Sequence, residues 1–244
     1  MDDQTGEVSR ARSVANAELP AYLLGLEDDL RVVMESCLHS KFLARKLISC
    51  GLEVWVLDAR KVAAQMPAFK TNKTDKLDAR ALAEMSFQNA ARKLRVWVAD
   101  EHTEELRALT RTREKLVEHT TALRNEWRAQ LAAFGLLCPA DDVLSRKAQL
   151  WFAEHLDALP AWGQFCVKRL HESLLELREQ IKLLDREIER EAAEDPACQK
   201  VRSLPGCGAL LAVTIVAELG DVERFDNLGR AASYAGLKIG RAHV

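Results

Sequence analysis

Leu170, Leu174, Leu177, Ile181, Leu184 and Ile188 alternate steps of four and three along the chain, and no other feature limits the possible folds as much. Only a long α-helix gathers such residues into one stripe, and a stripe of this period is the seam along which helices wrap in a coiled coil. A companion pattern lies upstream. Leu109, Leu116 and Leu123 recur every seven residues, with Leu106, Trp127, Leu131 and Phe134 on or near the same face. Pro139 and Pro160 break the intervening stretch, where Trp151 and Trp162 are expected to anchor packing. Residues 99–195 therefore predict an antiparallel helical hairpin or an arm through which copies of the chain associate. Residues 171–195 hold nine acids against four bases, so this arm suits a protein interface or a solvated face better than a DNA groove.

Residues 1–98 follow another grammar. Leu30–Met34 and Leu52–Leu57 are short β-rich runs. Between them His39–Cys50 has helical spacing at Phe42, Leu43, Leu47 and Ile48, with Gly51 placed to stop it. A strand, helix, strand unit of this length predicts a parallel pair with a right-handed crossover, whose ligand site lies beyond the carboxyl ends of the strands. Glu35 stands at such an end, as a ligand or as a solvated strand-end residue. Gly6–Ala15 fits an additional edge strand. A helix is expected over Lys73–Asn89, entered through Asn72 or Thr74.

Asp75 and Asp78 fall on one face of that helix and repel each other unless a cation lies between them. A divalent ion would supply it, and hard Mg2+ prefers carboxylate oxygens while keeping waters that phosphate can replace. The plainer reading is that acids in a first turn favour the helix dipole. The net charge of −2 does not announce a polyanion partner, but residues 41–80 hold nine Lys/Arg against four acids. Lys70, Lys73, Lys76 and Arg80 lie around the two aspartates, where a polyanion would be drawn.

Residues 196–244 open with Asp195-Pro196. Pro205-Gly206-Cys207-Gly208 leads into an apolar helix that Gly220 stops, and a shorter helix around Leu228–Tyr234 ends at Gly236. Gly206 and Gly208 fit the hairpin of helix-hairpin-helix modules, which hold phosphate on backbone N–H groups, or a tight turn before a buried helix. The longest small-or-apolar run, Gly208–Ala217, is about ten residues, short of the ~20 a membrane span needs. No signal peptide is read at the start, so a cytoplasmic protein is expected. Six cysteines without Cys-x-x-Cys spacing predict reduced, mostly buried thiols and no zinc framework. The six histidines show no ligand spacing, and no serine sits in a hydrolase arrangement.

Val-Val-Met-Glu35-Ser, Gly51-Leu-Glu-Val-Trp-Val, Lys-Thr-Asn-Lys-Thr-Asp75-Lys-Leu-Asp78-Ala, the helical arm, Leu-Pro-Gly206-Cys-Gly208 and Ala-Ser-Tyr-Ala-Gly236-Leu come in an order that resembles the insertion-sequence 110 family of transposases, which includes the Piv-type invertases. The resemblance implies a partial RuvC/RNase H-like domain over 1–98, a coiled-coil arm over 99–195 and the start of a helical C-terminal transposase domain over 196–244, an α/β plus all-α chain. It implies an Asp-Glu-Asp-Asp tetrad binding Mg2+, with Glu35, Asp75 and Asp78 as its second to fourth acids. It also implies DNA as substrate, a structured bridge RNA as guide, and homo-oligomers formed through the arm. The family's first acid and its C-terminal serine find no match here. The chain is thus expected to be truncated at both ends and to have little or no recombinase activity. The alternative is a non-catalytic, nucleic-acid-binding or oligomerising remnant that joins intact transposase.

Overall fold

Val54, Trp55, Val56 and Leu57 are buried in succession, as happens when a strand is covered on both faces. The computed structural model describes residues 12–26, 29–65, 75–87 and 89–237. These form two compact units divided after Glu101, mostly helical, with one small sheet.

The first unit runs α1 (Leu19–Leu24), β1 (Arg31–Glu35), α2 (Ser40–Ser49), β2 (Glu53–Leu57), α3 (Ala59–Gln65), α4 (Asp75–Ser86), a 3-10 turn (Asn89–Leu94) and β3 (Arg95–Val96). β1 and β2 pair in parallel, Arg31 opposite Glu53 and Glu35 opposite Leu57, and β3 lies antiparallel on the far side of β2. Side chains alternate between the faces. Val32, Met34, Val54 and Val56 meet Ala44 and Leu47 of the crossover helix α2. Val33, Trp55 and Leu57 meet Val62 of α3, Leu82 and Met85 of α4, and Leu94. Gly51 ends α2 with φ +84°, where a side chain would be strained.

Some expectations shift. The first strand extends to Glu35, which is its last residue rather than the one after it. The helix expected over 73–89 spans Asp75–Ser86; its expected caps Asn72 and Thr74 lie outside the described residues. Most of the edge strand expected at 6–15 also lies outside them, and residues 12–15 carry no regular structure. α1, α3 and β3 have no counterpart among the sequence patterns.

The second unit runs α5 (Glu101–Ala133), α6 (Arg146–His155), a 3-10 turn (Leu156–Ala158), α7 (Ala161–Glu194), α8 (Pro196–Arg202), α9 (Ala209–Leu219), a second 3-10 turn (Val222–Arg224) and α10 (Leu228–Tyr234). α5 and α7 run antiparallel. Leu106 packs with Ile188 and Ala192, Arg113 Nε lies 2.7 Å from Asp185 Oδ1, and Trp127 packs with Val167 and Leu174. The seam is closed mainly at its ends: Leu174 and Ile188 are buried, while Leu177, Ile181 and Leu184 stay half-buried.

The stretch read as loop-rich contains α6, begun by Ser145, whose hydroxyl accepts from the Ala148 N–H. Trp162 is not an anchor, being 80% exposed; that role falls to Trp127, which is fully buried. Among the described residues no helix is long and apolar enough to cross a membrane. The thiols also differ from expectation. Cys37 and Cys166 are exposed, Cys50, Cys138 and Cys207 half-buried, and only Cys198 is buried.

Burial, and then the charge and hydrogen bond of Asp195, push the Cys198 thiol up to about 12. A folded-state value above the ordinary 9.0 gives stability that is complete below about 9 and is lost as pH rises towards about 12. We expect the melting midpoint to fall across that window and Cys198→Ala to flatten the fall. In mildly alkaline iodoacetamide, peptide mapping should show Cys37 and Cys166 alkylated well before Cys198.

Candidate metal and nucleic-acid site

The carboxyl ends of β1 and β2 gather short polar contacts. The Ser36 N–H donates to Leu57 O at 2.8 Å, prolonging the ladder by one residue, and the Ser36 hydroxyl accepts from the Ala59 N–H at the start of α3. Glu35 is half-buried at this end. By the alternation of the strand it shares its face with Val33, the residue that packs with Leu82 and Met85 of α4. α4 itself packs on β1, and Asp75 and Asp78 occupy its first turn. The helix bearing two of the singled-out acids thus covers the sheet face bearing the third. The side chains of Asp75, Lys76 and Asp78 lie outside the described part of the structure.

A fourth acid, Asp58, follows β2 at the same end, and no sequence motif marks it. Its Oδ1 accepts from the Arg60 and Lys61 N–H groups. The hydrogen bond from the Lys61 N–H is the largest influence, and with that from Arg60 and the Lys61 charge it outweighs burial and holds the carboxyl below the usual range. This is the signature of a helix cap.

The same sheet face carries charge further back. Arg31 and Arg95 lie over the Trp55 ring at 4.5 and 4.8 Å, and Glu53 accepts from Arg31 Nε and Trp55 Nε1, both at 2.8 Å. Burial alone would raise the Glu53 carboxyl. The hydrogen bonds from Arg31 and Trp55, with the charges of Arg31 and Arg95, outweigh it and hold the group low. These two arginines therefore brace the sheet.

Of the cations expected to meet a polyanion, Lys70 and Lys73 lie outside the described residues. Lys76 is on the first turn of α4. Arg80 is exposed and donates its Nε to Glu84 at 2.8 Å, an i,i+4 pair. Lys46, Arg60 and Lys61 are also exposed.

In the second unit the glycine turn is built as a turn into a helix. Gly206 has φ +83°, and Gly208 is the N-cap of α9 with no side-chain cap. A Cβ placed on either glycine would meet nothing within 4 Å, so the approach to the helix N-terminus is open. Its free N–H groups and dipole can receive an anion without reading bases.

One grouping escapes sequence reasoning altogether. His102 Nε2 lies 3.9 Å from Glu191 Oε1 and 3.6 Å from Asp195 Oδ2. About ninety residues separate the histidine from the two acids, and no spacing rule detects a pairing made only by folding.

Comparison with known proteins adds what geometry leaves open. A profile of DEDD-type transposases, described as "Transposase", matches residues 2–135, and one described as "Transposase IS116/IS110/IS902 family" matches residues 198–242. The chain is similar to the transposase for insertion sequence element IS1111A of Coxiella burnetii, 28% identical over 99% of this chain and 65% of the relative. The corresponding figures are 29%, 80% and 56% for the transposase for IS1328 of Yersinia enterocolitica. For a probable family 20 transposase of Pseudomonas aeruginosa they are 30%, 87% and 62%. The chain thus spans somewhat under two thirds of the length of these relatives. With more than half of its residues within the first profile, and with the glycine turn and α9 within the second, the chain belongs to the IS110 family of insertion-sequence transposases.

Proposed function

We propose that this chain carries the DNA-handling and acid-cluster parts of an insertion-sequence transposase, the system that breaks and rejoins DNA strands as an element moves. The observation that supports this most is that α4, the helix that carries Asp75 and Asp78, covers the face of β1 on which Glu35 stands, in a parallel sheet of the kind that builds sites at its strand ends. The parallel strand, helix, strand unit agrees with a RuvC-like reading of residues 1–98. Residues 99–195 then act as the arm, coiled in the manner of its heptads, and residues 196–244 as the start of the C-terminal domain.

The donor set fits a divalent cation of the hard class. Glu35, Asp75 and Asp78 offer oxygen only, and Glu35 is half-buried rather than sealed from solvent. When bound, Mg2+ would neutralise charge on the scissile phosphate and acidify the attacking hydroxyl or water. Glu35 is fixed by its place in the strand ladder and by Ser36, which ties β1 to the start of α3. Lys70, Lys73, Lys76 and Arg80 would hold phosphates flanking the cleaved bond, and the backbone at Gly206 and Gly208 would hold a phosphate on the C-terminal part. A structured guide RNA would use the same sequence-blind contacts, and the chain would work in the cytoplasm alongside its DNA.

The test uses Mn2+ as a spectroscopically visible substitute for Mg2+. Electron paramagnetic resonance on the 244-residue chain should show saturable Mn2+ binding that weakens about tenfold or more in Glu35→Gln and in Asp78→Asn, with thermal melting unchanged. Equal affinity in all three proteins would overturn the assignment. Incubation with element-end DNA and Mg2+ then separates a chain that cuts from one that only binds, and strand exchange by wild type would refute the expected inactivity.

A second reading, an oligomerising remnant, is favoured by the half-buried middle of the arm. His119, Leu123, Leu177 and Gln180 line a groove of about 480 Å³ between α5 and α7, and Ile181 and Leu184 continue the stripe. Sedimentation should show wild type as an oligomer and the Leu177→Asp/Leu184→Asp variant as a folded monomer. A wild-type monomer counts against this role.

A further inference from the structure

We propose that His102, Glu191 and Asp195 form a site for a borderline transition-metal cation of the Zn2+ class, distinct from the hard-ion acids of the first unit. The three ligand atoms lie within 4.8 Å of one another. The two distances from His102 Nε2, 3.6 and 3.9 Å, are too long for hydrogen bonds. Bond lengths of about 2.0–2.2 Å place tetrahedral donors roughly 3.3–3.6 Å apart, so the Asp195 distance already suits donors that share a central ion and the Glu191 distance needs a side-chain adjustment of a few tenths of an ångström.

The elements that bring these donors together hold them firmly. Glu191 and Asp195 are one turn apart at the end of α7, so their carboxylates face the same way and repel. Among the described residues neither forms an ion pair with a lysine or arginine; nearby Arg190 and Arg202 are engaged with Glu187 and Glu189. Among those residues the ion pairs of the two acids are made with His102, which carries charge only when protonated. Asp195 is further oriented by its second task. Its Oδ1 caps α8, accepting from the Ala197 N–H at 2.6 Å and the Cys198 N–H at 3.4 Å, and this turns Oδ2 towards the imidazole.

The donor chemistry selects the ion. An imidazole nitrogen with two carboxylates suits Zn2+, Co2+ or Ni2+, whereas Mg2+ takes oxygen donors and holds its waters. Glu191 and Asp195 are mostly shielded while His102 is 56% exposed, so an ion can enter from the imidazole side and keep a water in the remaining position. Bound there, it would clamp the first turn of α5 to the junction of α7 and α8, the segment that leads on to the Pro205–Gly208 turn.

The experiment uses the 244-residue chain carrying Glu35→Gln, Asp75→Asn and Asp78→Asn, so that no acid proposed for the first site contributes. Zn2+ titration calorimetry should give one site per chain, and Co2+ should develop the visible absorption of a low-coordinate nitrogen and oxygen complex. Adding His102→Gln or Glu191→Gln should weaken both about tenfold or more, while metal-free melting of the variants matches the parent. Zn2+ should raise the parent's melting midpoint, and Mg2+ should not. No saturable binding, or binding unaltered by both substitutions, as when exposed thiols such as Cys37 or Cys166 capture the ion, would overturn the site.

Discussion

Trp127→Ala is expected to destabilise the helical unit by about 3–5 kcal/mol, and to lower its melting midpoint by roughly 6–20 °C for a chain of this size. Trp127 is fully buried where α5 faces α6 and α7, among Leu131, Val143, Val167 and Leu174. Its ring meets Phe152 edge-on, centroids 5.3 Å apart and planes at 64°, the favoured arrangement for an aromatic pair. Alanine would leave a cavity walled by two long helices and α6, all three held at several other points, so collapse would be slight and the cost near the upper end. Trp127→Phe is informative because the indole Nε1 makes no hydrogen bond among the described residues. Phenylalanine would lose volume and no polar partner, at less than half the cost. Urea unfolding followed by far-ultraviolet circular dichroism measures both. A loss below about 1 kcal/mol for alanine would mean that α6 does not close over this ring.

What can be read from sequence depends on how local its cause is. The stripe from Leu170 to Ile188 needs only helical period, and α7 spans it. Gly51, Gly220 and Gly236 stop helices because each takes a positive φ, a property of the residue itself. β3 is two residues long and exists only through its pairing with Val56 and Leu57, which no local propensity encodes. α6 is hidden by Pro139 and Pro160, whose breaker signals lie outside it on both sides. Trp162 suggests an anchor because tryptophan is usually well covered, but the first turn of α7 leaves it facing outwards. The same division holds for the site. The position of Glu35 at a strand end comes from the β-rich run before it, whereas the covering of its face by α4 is a packing fact. The proximity of His102 to Glu191 and Asp195 exists only because α5 and α7 run antiparallel.

Arg107→Leu is expected to cost about 2–4 kcal/mol, because a buried guanidinium and the carbonyls it serves lose their partners together. The last carbonyls of any helix lack internal partners, and in α9 those of Ala217, Glu218 and Leu219 are met by side chains. Val216 O accepts from the Gly220 N–H. Ala217 O and Glu218 O accept from Arg107 Nε and one of its terminal nitrogens, at 2.9 and 3.3 Å. Leu219 O accepts from Arg224. Arg107 is only 4% exposed, and its other terminal nitrogen donates to Glu104 at 2.9 Å, so its charge is compensated on both sides and also lies favourably at the negative end of the α9 dipole. Leucine fills much of the space but offers no donor, leaving two carbonyls and Glu104 short of a bond. Lysine keeps the charge yet cannot present a planar fork to three acceptors, so Arg107→Lys should recover little. Arg111 makes two 2.9 Å bonds to the Glu218 carboxylate, but from a half-exposed position where water competes, and Arg111→Ala should cost less than about 1 kcal/mol. The ordering matters for function because α9 begins at the open glycine turn. Hydrogen exchange should show its amides losing protection in Arg107→Leu and keeping it in Arg111→Ala, and binding of DNA or RNA by the C-terminal part should weaken in the same order. Equal protection in both variants would show that α9 is held by its apolar face alone, through Ala212, Val213 and Ala217, and that the buried arginine contributes nothing to the aim of the turn.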